Sequence, residues 1–128
     1  MISLRFSKRQ RLTKPWQFDR VYRDGSAYHY RFFVAFVLRT TAHQERKVGI
    51  VASRKVGKAV ARNYAKRRLR EIYRLHQHDI PLGTEIVLVA RKTITSASWQ
   101  QIQTEFLDCI NHLQSATGYA KDSADSSI

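Results

Sequence analysis

Residues 58–77 constrain this chain more than any other stretch. On a helical wheel at about 100° per residue, Ala61, Ala65, Leu69, Ile72 and His76 fall within a sector about 80° wide. Asn63, Lys66, Arg67, Arg70 and Arg74 gather on the opposite side, with Arg62 near the border. This sorting predicts one amphipathic helix whose apolar stripe has to be covered. The flanking segments can supply the cover. "RKVGIVAS" at 46–53 and "TEIVLVAR" at 84–91 are β-branched runs that read as strands, and "DIPLG" at 79–83 breaks the helix between them. If the two strands lie parallel, strand, helix and strand close a crossover unit.

The remaining segments extend this unit. "TKPWQFDRVYRDG" at 13–25 reads as a short helix, with Pro15 suited to its first turn and Gly25 just past its end. Phe18, Val21 and Tyr22 share one of its faces. "AYHYRFFVAFVLRT" at 27–40 reads as one long strand. Tyr30, Phe32, Val34, Phe36 and Leu38 would point one way, and Phe33, Ala35 and Val37 the other. "TITSAS" at 93–98 reads as a loop, and Ser98 with Gln101 fits a capping box opening a helix from 98 to 114. Trp99, Ile102, Phe106, Cys109, Ile110 and Leu113 form that helix's apolar stripe. Residues 1–12 read as a loose basic arm, and 117–128, small and polar, as a disordered tail. The expected architecture is a single domain over 1–116, an α/β (α+β) two-layer sandwich in which helices pack a mixed sheet.

Charge narrows the function. Lys and Arg number 23 against 10 Asp and Glu, a net of +13. Residues 1–74 hold 20 basic and four acidic side chains, a net of +16, whereas 75–128 hold three and six, a net of −3. Glu71 is the only acid from 54 to 74, against nine bases. Like charges four residues apart, as in Arg62, Lys66, Arg70 and Arg74, destabilise a free helix. Phosphates neutralised along that face, with release of their counterions, give a reason for the arrangement. Arg11, Arg54, Lys55, Lys58, Arg62, Asn63, Lys66, Arg67, Arg68, Arg70 and Arg74 are the candidate RNA-binding residues. Gly57 permits a close turn into the helix, whose first N–H groups could also receive an anion. A nucleotide loop is excluded, because Ala52 and Ala59 stand where that pattern needs Gly and Ser or Thr.

Other classes fit poorly. The basic helix carries no Trp- or Phe-rich face for a membrane surface, and no apolar run reaches the roughly 18 residues of a span. The N-terminus lacks the apolar core of a signal peptide, so a cytoplasmic location is expected. Cys109, the single cysteine, precludes an internal disulfide framework. His29, His43, His76, His78 and His112 do not share a metal-ligand spacing, and the carboxylates form no pair. No catalytic residue, metal ligand, bound cofactor or obligate protein partner is expected. A structural RNA-binding protein of the ribosome would share this charge and size.

"RLTKPWQFDRVYRDG", "VGIVASRKVGKAVARNYAKRRLREIYR" and "EIVLVARK" together resemble the protein subunit of bacterial ribonuclease P. The resemblance runs in order from about residue 9 to 113. The family's signature helix reads Arg-Asn-Arg, then any residue, Lys and Arg. Here it is Arg62, Asn63, Tyr64, Ala65, Lys66 and Arg67, so Tyr64 departs from the pattern. The resemblance implies a left-handed βαβ crossover, against the general rule, in a fold shared with a ribosomal-protein domain. It implies two partners, the catalytic ribonuclease P RNA and precursor tRNA. It implies a holoenzyme that is an endoribonuclease removing the 5′ leader, with Mg2+ acting through the RNA as the catalyst. The protein would assist assembly, raise metal affinity and grip the leader in a cleft. The leader-gripping rings correspond here to Phe18, Tyr22 and Phe36. Unpaired bases stack on such rings, at about 1–3 kcal/mol per base.

Overall fold

A computed structural model describes residues 8–117. Helix α1 spans Pro15–Asp24, α2 Ala59–His76 and α3 Trp99–Thr117; strands are β1 Ser26–His29, β2 Phe33–Arg39, β3 Lys47–Val51 and β4 Thr84–Ala90. The strands form one mixed sheet in the order β1-β2-β4-β3. β1–β2 and β2–β4 are antiparallel, whereas β3 and β4 are parallel and joined through α2. The α+β architecture of a mixed sheet packed by helices is therefore as the sequence predicts.

Alternation along each strand divides the sheet into two faces. Phe33, Ala35 and Val37 of β2, Val48 of β3, and Ile86, Leu88 and Ala90 of β4 face the main core. There they meet Ala65, Leu69, Ile72 and Tyr73 of α2 and Ile102, Phe106, Cys109, Ile110 and Leu113 of α3. The opposite face carries Phe36, Leu38, Val51, Val87 and Val89, and α1 covers part of it through Val21 and Phe18. The Ser98 capping box is present: Gln101 N–H donates to Ser98 Oγ at 3.1 Å and Ser98 N–H to Gln101 Oε1 at 2.9 Å.

Three expectations are corrected. The stretch 27–40 is not one strand but a hairpin, turning at Tyr30–Phe32, with Ser26 opposite Val37 and His29 opposite Val34. Glu105 of α3 accepts hydrogen bonds from the Arg31 and Phe32 N–H groups, at 3.2 and 3.1 Å, and so satisfies the turn. Phe32 consequently leaves the Phe36 face and lies in the main core. The segment 93–98 is not an open loop, because Lys92–Ser96 form a 3-10 turn with Ile94 buried. Residues 8–12 are not a loose arm: Lys8–Gln10 form a 3-10 turn, and Leu12, buried, donates its N–H to Val48 O at 2.9 Å. The polar tail and residues 1–7 lie outside the described residues, apart from Thr117 at the end of α3.

Candidate nucleic-acid interface

The half-covered sheet face is a cleft. One cross-strand row, Phe36–Val87–Gly49, lies under α1. Val21 packs on Val87, and the Phe18 ring rests on Gly49 so closely that a Cβ there would overlap it. Glycine is the one residue that lets α1 approach to this depth. Tyr22 meets Phe36 edge to face, with ring centroids 4.9 Å apart, and its residue remains 39% exposed. Burial, and then Asp19, push the Tyr22 hydroxyl pKa up, so the ring faces the cleft as a neutral phenol. The next cross-strand row, Val34–Val89–Val51, is only half-buried and forms an apolar floor beside the three rings. The structure thus brings Phe18, Tyr22 and Phe36 together.

A buried ionic lock holds α1 in place. Glu85 of β4, 1% exposed, accepts hydrogen bonds from Arg20 of α1 at 2.6 and 2.5 Å and lies 2.7 Å from His43 Nε2. Burial alone would raise its pKa, but Arg20 and His43 together hold it below the usual carboxylate range. This lock fixes the angle of the helix that presents Phe18 and Tyr22.

Cations flank the cleft on its α2 side. Arg11, Phe18, Gly49, Ile50 and Arg70 are among the residues lining a recess of about 150 Å3. Arg70 belongs to the row Arg62–Lys66–Arg70, one side chain per turn. None of these three has a carboxylate partner among the described residues. At the end of β3 the chain enters an exposed turn holding Arg54 and Lys55, then Lys58, the N-cap of α2. Gly57 has φ +145°, a conformation side chains rarely adopt, so the turn keeps its tight entry into the helix. Asn63 and Arg67 are exposed on α2. Two expected members stand apart from the row. Arg74 is engaged by Glu71 at 2.7 Å, and Arg68 lies on the other flank of α2, over Tyr64 and Trp99.

The family model described as Ribonuclease P matches residues 6–114. The chain belongs to the ribonuclease P protein family. The ribonuclease P protein component of Desulfovibrio desulfuricans is 38% identical over 106 residues, which cover 80% of this chain and 82% of the relative. That of Natranaerobius thermophilus is also 38% identical, over 75% of this chain and 83% of the relative. Among solved structures, the RNase P protein of Staphylococcus aureus superposes with a TM-score of 0.70 at 29% identity, covering 85% of this chain and 95% of its own. The Thermotoga maritima RNase P protein gives a TM-score of 0.69 at 29% identity, over 80% and 96%. These matches give the ribosomal alternative no support.

Within this ribonuclease P family member, several residues that shape the interface escape sequence reading. Gly49 is a strand residue whose role depends on a ring 31 positions earlier in the chain. Arg20, His43 and Glu85 come from three separate elements or loops. Val34, Val51 and Val89 read only as strand residues until pairing aligns them. Tyr64 was legible solely as a departure from the signature helix, and Trp99 solely as part of an apolar stripe. No helix among the described residues is long and apolar enough to cross a membrane.

Proposed function

We propose that residues 1–116 act as one RNA-binding domain, the accessory protein subunit of the cytoplasmic ribonuclease P holoenzyme. The row Arg62–Lys66–Arg70 and the turn with Arg54, Lys55 and Lys58 engage catalytic RNA phosphates. The cleft of Phe18, Tyr22 and Phe36 takes unpaired bases of the precursor's 5′ leader. The observation that carries this reading is the shared recess, in which Arg70 and Arg11 flank the Phe18 ring. A backbone crossing there would meet cations while its bases met rings, the combination used for single strands. Among the described residues, no three His, Cys, Asp or Glu side chains are grouped to hold a metal ion. In this reading magnesium acts through the RNA partner, where phosphodiester hydrolysis takes place. The chain itself binds, orients and screens charge.

A single-turnover cleavage assay on precursor tRNA tests this proposal. With the cognate catalytic RNA at low magnesium, the chain should accelerate cleavage, whereas the chain alone should leave the substrate intact. A competent RNA that gains nothing from the chain would overturn the proposal.

A further inference from the structure

The flank of α2 away from the cleft carries a second, differently built groove. Tyr64, Arg67, Arg68, Glu71 and Leu75 of α2 and Trp99 of α3 line a cavity of about 550 Å3. The Arg68 guanidinium carbon lies 4.9 Å from the Tyr64 ring centre and 5.7 Å from that of Trp99. Both distances fall within the reach of a cation–π attraction, so the three side chains form one semi-rigid set of planar groups. Glu71, the cavity's only carboxylate among the described residues, is occupied by Arg74 at 2.7 Å. Arg67 and Arg68 have no carboxylate partner among the described residues. Tyr64 also borders an adjoining recess of about 510 Å3 with Lys58, Val60, Ala61 and Thr95, where Val60 is 83% exposed. The groove therefore has planar and apolar walls, with Lys58 at its start and Arg67 and Arg68 midway along it.

We infer that this groove holds unpaired nucleotides of the catalytic RNA, one base stacking on the Tyr64–Arg68–Trp99 set while Arg67 and Lys58 face phosphates. The inference rests on the reading that the chain assembles with that RNA. Aromatic rings and guanidinium planes are the surfaces on which splayed-out RNA bases stack. Lys58, Arg67 and Arg68 favour a polyanion over a neutral or basic peptide. The leader is the wrong occupant, because its rings and the Arg11–Arg70 recess lie on the other side of α2.

Trp99 supplies the reporter. The chain has two tryptophans, and Trp16, 60% exposed on α1, can be removed as Trp16→Phe in the full chain. Titration with the catalytic RNA alone should quench Trp99 emission, saturating at the RNA concentration that saturates filter binding. In the same background, Tyr64→Ala should weaken catalytic-RNA affinity about tenfold. Tyr64→Phe should keep it within about threefold, because the ring is retained. Thermal melts of each variant identify any loss that comes from unfolding. RNA binding with unchanged Trp99 emission and unchanged Tyr64→Ala affinity would overturn the groove and leave the assembly reading standing. Quenching that required precursor tRNA, or a protein ligand, would overturn the assigned occupant. Failure of the unaltered chain to bind catalytic RNA would overturn both readings.

Discussion

A missing methyl group at position 49 sets the depth of the cleft. Alanine there would strike the Phe18 ring and lift α1 from the sheet. Overpacking of this kind costs about 1–3 kcal/mol. Gly49→Ala should therefore lower the urea midpoint and weaken precursor binding more than catalytic-RNA binding. Adding Phe18→Leu should recover stability without recovering precursor binding. Tyr22→Ala is the milder probe, since that residue is 39% exposed. It should reduce the preference for precursor over mature tRNA by about 1–3 kcal/mol in competition binding, with little change in melting temperature. Glu85 governs the acid limb of stability. Its folded pKa is depressed, so its contribution is complete above the unfolded carboxylate value and fades as pH falls through the lower folded value. Glu85→Gln should cost on the order of 2 kcal/mol at neutral pH, reduced from values for fully buried pairs because Arg20 is partly open to water. It should also flatten the stability profile below about pH 4.5. An unchanged acid limb in urea titrations would show that Glu85 does not govern it.

At the scale of elements, α2 is a partition with two differently built flanks. Arg62, Lys66 and Arg70 follow one edge, and Tyr64, Arg68 and Leu75 the other. Replacing Arg62, Lys66 and Arg70 by Ala should weaken catalytic-RNA binding and lower the slope of log affinity against log salt by about 2 to 3. The slope, measured from 50 to 300 mM salt (on the order of these values), separates phosphate contacts from a general loss of fold. The helix and its apolar stripe were legible in the sequence because a 3.6-residue period needs no partner to be seen. The two flanks were not. A wheel separates polar from apolar, but it cannot show that α3 docks beside Arg68 or that Arg11 returns to Arg70. The hairpin at Tyr30–Phe32 was hidden for a related reason. No Gly, Pro, Asn or Asp marks it, and the carboxylate that satisfies its turn lies more than 70 residues away in sequence. Strands β3 and β4 were legible as β-branched runs between breakers, whereas the docking of residues 8–12 onto β3 leaves no periodic signal. The cleft rings could be named from family resemblance, but Gly49 beneath them could not.

The molecule as a whole is an electrostatic dipole in its sequence: residues 1–74 carry a net +16 and the remainder −3. Ion pairs cancel part of this charge at Arg9–Glu45, Arg20–Glu85 and Arg74–Glu71, while the row on α2 is left uncompensated. Self-repulsion weakens the compact state, and any ligand that binds only the folded chain restores it by mass action. Sulfate or a short RNA should therefore raise the melting temperature of the isolated chain, and the gain should shrink in Arg62/Lys66/Arg70→Ala. Equal gains in both would locate the anion site elsewhere. On the proposed assembly, this uncompensated row also has a consequence for supply in the cell. A subunit that owes part of its folding free energy to a nucleic-acid scaffold is safest once installed on it. Copies made in excess of that scaffold spend longer open to proteases, so degradation would trim the protein pool to match the transcript it serves.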